Sequence, residues 1–152
     1  MLINLRCQLA APHRQERHQD LPSHNIYCHF LTKMITIYHN PRCSKSCEAL
    51  AIVEKFAQDN DLAVQIIEYL KTPLTVTALV ELQRKLAITP RHMARDNEPE
   101  FAELSLADAG DATLFRAVAE CPRLLQRPIV EYDGRAVIGR PPELVTGLLT
   151  GT

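Results

Sequence analysis

The stretch that most constrains the fold is Ile35-Thr36-Ile37-Tyr38-His39-Asn40-Pro41-Arg42-Cys43-Ser44-Lys45-Ser46-Cys47, where a β-type run stops at Asn40-Pro41 and a helical pattern begins almost at once. Ser44 to Asp59 places Ala49, Leu50, Val53 and Phe56 on one helical face, and Val64 to Tyr69 is again strand-like. Strand, helix and strand in this order predict a βαβ unit with parallel strands. The loop after the first strand then opens at the carboxyl end of the sheet, where α/β proteins place their chemistry. Cys43 stands in that loop.

Unpaired N–H groups at a helix N-terminus and nearby cations favour the anionic form of a thiol. Arg42 and Lys45 flank Cys43, and Ser44 and Ser46 add polar groups, so the position predicts an activated thiolate rather than a packed cysteine. His39, four residues before the cysteine, is suited to tuning the thiol or to hydrogen-bonding the loop.

With 152 residues, 46% hydrophobic and 23% charged, the chain fits one globular domain with an ordinary core. The net charge of -1 gives no global basic field for nucleic acid, and no apolar run approaches the ~20 residues of a membrane span. Five cysteines at irregular spacing do not form a secreted disulfide framework, which points to a reducing cytoplasm.

Residues 1 to 33 differ from the rest. They hold four of the six histidines and show no sustained periodicity, and Pro12 to His18 interrupts any signal-peptide core. They are expected to be an N-terminal extension, disordered or upstream of a start at Met34, with the domain spanning 34 to 152. Cys7, His24, Cys28 and His29 match no closed zinc spacing, and no metal site is expected.

The middle of the chain is helical. Thr72 to Thr75 forms a turn and cap before Leu79, Leu82 and Leu86, Thr89-Pro90 starts a short helix, and a further helix spans about Asp111 to Glu120. Arg127 to Ile138 contains two strands around Asp133-Gly134, a strong hairpin signal, and Pro141-Pro142 precedes a last helix from about Glu143 to Leu149. The expected class is α/β: a thioredoxin-like fold with a mixed four-stranded sheet and an inserted helical segment.

Four segments in order, ITIYHNPRCSKS, MARDN at Met93 to Asn97, LLQRPIV at Leu124 to Val130 and IGRPPE at Ile138 to Glu143, resemble the glutaredoxin-coupled arsenate reductase family, over essentially all of Met34 to Leu149. The resemblance implies a nucleophile at Cys43, oxyanion-binding arginines at Arg95, Arg127 and Arg140, and a cis peptide before Pro128. It implies arsenate or another small oxyanion as substrate, glutathione as cosubstrate, glutaredoxin as partner and no bound cofactor. Arginine suits such a ligand, because its planar guanidinium keeps its charge and donates two parallel hydrogen bonds. Arg84, Arg91, Arg123 and Arg135 lie outside the family positions and are expected to be solvated surface charges.

The phosphatase-like type of arsenate reductase needs an arginine six residues after its cysteine, where this chain has Ala49. The local pattern is CxxS, with Ser46 in place of a second thiol, which predicts monothiol chemistry. Cβ atoms four residues apart on a helix lie about 5–6 Å apart, against ~3.8 Å in a disulfide, so Cys47 is expected to pack rather than to bridge Cys43. Cys121 is expected to be structural. Ser44-Lys45 replaces the Gly-Thr pair of the better-established arsenate reductases. That departure keeps two alternatives open: a glutathione-dependent thiol-disulfide oxidoreductase without arsenate selectivity, and a redox-sensing regulator binding RNA polymerase, a branch that typically carries CxxC.

Overall fold

The computed structural model describes residues 33–151; the readings made for residues 1–32, including their four histidines and two cysteines, lie outside that range. Four strands form one sheet: β1 (Met34–Tyr38), β2 (Ala63–Ile67), β3 (Ile129–Tyr132) and β4 (Arg135–Ile138), in the order β2-β1-β3-β4. β1 pairs parallel with β2, with Tyr38 opposite Ile67, and antiparallel with β3, with Ile37 opposite Val130. β3 and β4 form the hairpin, and Asp133 and Gly134 both take positive φ, 51° and 75°, the backbone of a tight primed turn. Among the described residues the sheet is accompanied by six α-helices: α1 (Ser44–Asp59), α2 (Val76–Leu86), α3 (Pro90–Met93), α4 (Pro99–Glu103), α5 (Asp111–Glu120) and α6 (Leu144–Thr150).

Strand side chains alternate between two cores. Ile35, Ile37 and Val130 point to the face covered by α1 and α6, where they meet Ala49, Val53, Val145 and Leu148. Tyr38 and Ile129 point to the other face, against Leu79, Leu82 and Leu86 of α2, Met93, and Leu114 and Val118 of α5. Burying one such aliphatic side chain contributes about 1.5–3 kcal/mol, so each layer is anchored by several independent contacts. This mixed sheet between helical layers, with α2 to α5 inserted between the βαβ and ββα halves, is the thioredoxin-like arrangement expected.

The departures are local. The second strand ends at Ile67, not Tyr69, because the chain turns at Glu68, whose carbonyl accepts from Lys71 N–H (2.8 Å) and Thr72 N–H (3.0 Å). The final helix runs Leu144–Thr150, one residue later than expected at each end. Helix α4 and the 3₁₀ turn Leu106–Asp108 lie in a segment with no long apolar period; Pro99 at the first turn starts α4, and Phe101 and Leu106 anchor the two. Among the described residues, no helix is long and apolar enough to cross a membrane.

Candidate active site

The turn after β1 is pinned by its own side chains. Asn40 Oδ1 accepts the Arg42 N–H (2.9 Å) and Asn40 O accepts the Cys43 N–H (3.0 Å), folding the loop back on itself. Ser46 Oγ accepts the Asn40 N–H (3.0 Å) and lies 2.8 Å from His39 Nδ1. Ser46 is fully buried and His39 and Asn40 nearly so, so this network is shielded from competing water. His39 is thereby a loop-holding residue. Ser46, expected to be part of the polar surroundings of the thiol, is instead turned inward on the buried face of α1 with Ala49, Val53 and Ala57.

Cys43 is the N-cap of α1, with extended backbone (φ -108°, ψ 116°), and its carbonyl accepts the N–H groups of Ser46 (2.9 Å) and Cys47 (3.0 Å). Burial is the largest single influence on its thiol and pushes it up. The Ser46 N–H, a hydrogen bond from Arg127, the charge of Arg127 and the Lys45 N–H together outweigh burial, and the thiol lies below its ordinary value.

Two distant segments are joined to bring arginines to this point. An isolated antiparallel bridge pairs Ala94 with Leu125; Arg95 N–H donates to Leu124 O (2.7 Å) and Gln126 N–H to Met93 O (2.8 Å). Arg95 and Arg127 thus leave neighbouring backbone. Arg95 is buried, and burial followed by the charges of Arg127 and Arg140 makes its proton easier to lose, while Tyr69 and Cys43 act the other way. Its guanidinium nevertheless stays charged in any accessible pH range. All three family-implied arginines therefore fall in one electrostatic neighbourhood, two of them felt by a third and the thiol felt with them. The Arg127–Pro128 and Arg140–Pro141 peptides are both cis, the first as the resemblance implied.

Arg140 is exposed and borders a separate groove with Leu86, Ile88, His92 and Leu144. Gly139 sets its approach: a Cβ there would lie 2.9 Å from Val145 Cγ2 and 3.1 Å from Pro128 Cγ, so the backbone before Arg140 packs closer than any side chain allows.

The Cys43 cleft itself has a volume of ≈ 640 Å³ and is lined by Asn40, Arg42, Cys43, Ser44, Leu70, Glu98, Arg123 and Arg127. Glu98, absent from the sequence expectations, pairs with Arg95, with Arg123 (Oε2 to Nη2, 3.3 Å) and with Arg127 (Oε1 to Nη1, 3.8 Å). Arg123, expected to be a solvated surface charge, is largely exposed, and it also borders the cleft and pairs with Glu100 (3.1 Å). The 3₁₀ turn Pro122–Leu124 carries Arg123 to the edge of the cleft that Arg127 also lines. A hint was available in MARDNEPE, where an acid three residues after Arg95 falls within ion-pair reach once a turn forms. Tyr69, fully buried, brings its hydroxyl near Arg127 and Asn40 without a hydrogen bond of full quality, and burial foremost keeps its phenol protonated. Nothing in the strand-like pattern around Tyr69 distinguished it from a core aromatic.

Lys45 is drawn away from the thiol by Glu48 (2.8 Å), so what reaches the sulfur is its backbone N–H rather than its ammonium. Arg42 and Ser44 border the cleft. Cys47 is exposed, with Sγ 3.5 Å from Pro41 O, and does not pack as expected. One residue on from the buried Ser46, it is rotated about 100° off the inner face of α1. Cys121 is partly buried against the larger core, in keeping with a structural role.

Comparison with known proteins places this geometry. The chain is 40% identical over 118 residues to the uncharacterised protein YfgD of Escherichia coli, an alignment covering 76% of the chain and 96% of that protein. It is 41% identical over 119 residues to an arsenate reductase of Haemophilus influenzae, covering 76% of the chain and 98% of the relative. The solved structure of an arsenate reductase from Vibrio cholerae matches with a TM-score of 0.68 at 42% identity, covering 76% of the chain and 97% of that structure. The ArsC family model matches residues 38–148, a span that begins at the end of β1 and includes the thiol loop, the arginine bridge and the Gly139 turn, and the chain belongs to the ArsC family.

Proposed function

We propose that this protein reduces arsenate to arsenite through the Cys43 thiolate, with electrons supplied by glutathione and glutaredoxin. The observation that carries the reading is a single one: at the start of α1 the Cys43 thiol is held below its ordinary value by helix N–H groups and the Arg127 guanidinium, whose charge, with that of Arg140, also acts on the buried Arg95. A thiolate approaching a multiply charged oxyanion needs both ionisation and relief from anion–anion repulsion, and these groups supply both. Arsenate is named as substrate by relatives at about this distance in sequence.

In the proposed sequence the Cys43 sulfur attacks arsenic(V) and an arsenic oxygen leaves as water or hydroxide, with Arg127 and its neighbours stabilising charge on the remaining oxygens. A glutathione thiolate then attacks the Cys43 sulfur. The S–As bond breaks and its electron pair goes to arsenic, which leaves as arsenite, and a Cys43–glutathione disulfide forms. Glutaredoxin or a second glutathione reduces that disulfide by thiol exchange. An external thiol is required because Ser46, in place of a second thiol in the CxxS pattern, carries no sulfur with which to resolve the adduct.

Arsenate-dependent NADPH consumption, coupled through glutathione, glutathione reductase and glutaredoxin, tests the proposal. Turnover is expected in the wild type, to be abolished in Cys43→Ser and to persist in Cys47→Ser and Cys121→Ser. A rate independent of arsenate overturns the substrate assignment, and loss of turnover in Cys47→Ser overturns the monothiol route.

A further inference from the structure

Glu98 is a carboxylate on the wall of a cleft that otherwise presents cations to its ligand. Its side chain is only 11% exposed. Oε1 accepts from Arg95 and Oε2 from Arg123 (3.3 Å), while Arg127, at 3.8 Å, stands outside hydrogen-bond range. An ionised carboxylate offers about four acceptor positions, so acceptor capacity remains on a residue that any anion beside Cys43 and Arg127 must meet.

We propose that Glu98 is a specificity-determining residue: it accepts a hydrogen bond from a protonated tetrahedral oxyanion and turns away oxyanions that carry no proton. The inference rests on the reading of this cleft as an oxyanion site. Hydrogen arsenate and hydrogen phosphate retain a proton at neutral pH, and one O–H can donate to Glu98 while other oxygens accept from Arg127. Sulfate offers only lone pairs. Against Glu98 it sets acceptor to acceptor and charge to like charge, the arrangement by which proteins select against a wrong ligand. The bland role for Glu98 is a counter-ion that holds Arg95 and Arg123 in place. That role would weaken all oxyanions alike when removed, whereas the proposed role changes their ratio.

Protection of Cys43 from iodoacetamide by phosphate and by sulfate, at neutral pH and constant ionic strength, separates the two roles. Sites built around a ligand hydroxyl reject analogues lacking it by up to about 10⁴–10⁵-fold, and for this partly open cleft a phosphate preference of ~100-fold is expected. Glu98→Gln is expected to reduce that preference to within about tenfold, mainly by admitting sulfate, and Glu98→Asp, which keeps the carboxylate, to retain it. Equal protection of the wild type by sulfate and phosphate, or an equal loss for both anions in Glu98→Gln, overturns the inference and leaves the oxyanion site standing. If phosphate, sulfate and arsenate all fail to protect Cys43, the site assignment falls and the inference with it.

Discussion

Two hollows of nearly equal size open on this molecule, one of ≈ 640 Å³ over Cys43 and one of ≈ 610 Å³ beside β4. The first is lined by Cys43, Arg42, Arg123, Arg127 and Glu98 with a single large aliphatic, Leu70; the second mainly by Leu86, Ile88, Ala136, Val137, Ile138 and Leu144. Room alone does not separate them. What does is that the first ends on a helix N-terminus carrying a thiol, so its cations act on a group whose charge they change. Arg140 links the two: it borders the apolar hollow, yet its charge is felt by Arg95 and Lys45.

The contrast is sharpest at Arg127. Arg127→Ala is expected to lower arsenate turnover by about 10²–10³-fold, the usual effect of removing one donor to developing oxyanion charge. It is also expected to move the midpoint of Cys43 alkylation to higher pH, since a cation that holds the thiol down is lost. The sign for stability follows from the same shift. A thiol whose folded pKa lies below its unfolded one stabilises the fold fully above the unfolded value, and that contribution fades as pH falls through the folded value. An unchanged alkylation midpoint in Arg127→Ala would break the comparison at its base.

A smaller effect is expected where the hollows meet. Gly139→Ala should cost about 1–3 kcal/mol by overpacking against Val145 and Pro128, read as a lower midpoint in thermal denaturation. Displacing Arg140 should also raise KM for arsenate more than it lowers kcat. The smallest effect belongs to the apolar hollow: Leu144→Ala, at a side chain 47% exposed, should stay within about 0.5 kcal/mol and leave turnover unchanged. Turnover as impaired by Leu144→Ala as by Arg127→Ala would show that the second hollow takes part in the chemistry.

Much of the architecture was legible from periodicity and punctuation. Helix α1 spans the residues its apolar face predicted, and Asp133-Gly134 forms the expected hairpin turn. Thr75 caps α2 by accepting the Ala78 N–H (3.2 Å). The site was only half legible. Cys43 was visible because part of its activation comes from the N–H groups of its own helix, a local feature, and the family motifs supplied three arginines. Arg123 was not, and Glu98 only as an acid within reach of Arg95, because the pairing of Glu98 with Arg123 and Arg127 is made only through the Ala94–Leu125 bridge and the Pro122–Leu124 turn. Cys47 and Ser46 exchanged their expected settings because one residue of helical rotation decides which side chain faces the core.

What this sequence determined by itself is therefore what depends on near neighbours: strands and helices from apolar spacing, the turn chemistry of Asn40-Pro41, and a thiol at a helix start. Only the tertiary structure decided which charges act together. Lys45, two residues from the thiol, is taken by Glu48, while Arg127, 84 positions along the chain, reaches the sulfur. Electrostatic influence depends on distance and burial in space, and separation along the chain predicts neither.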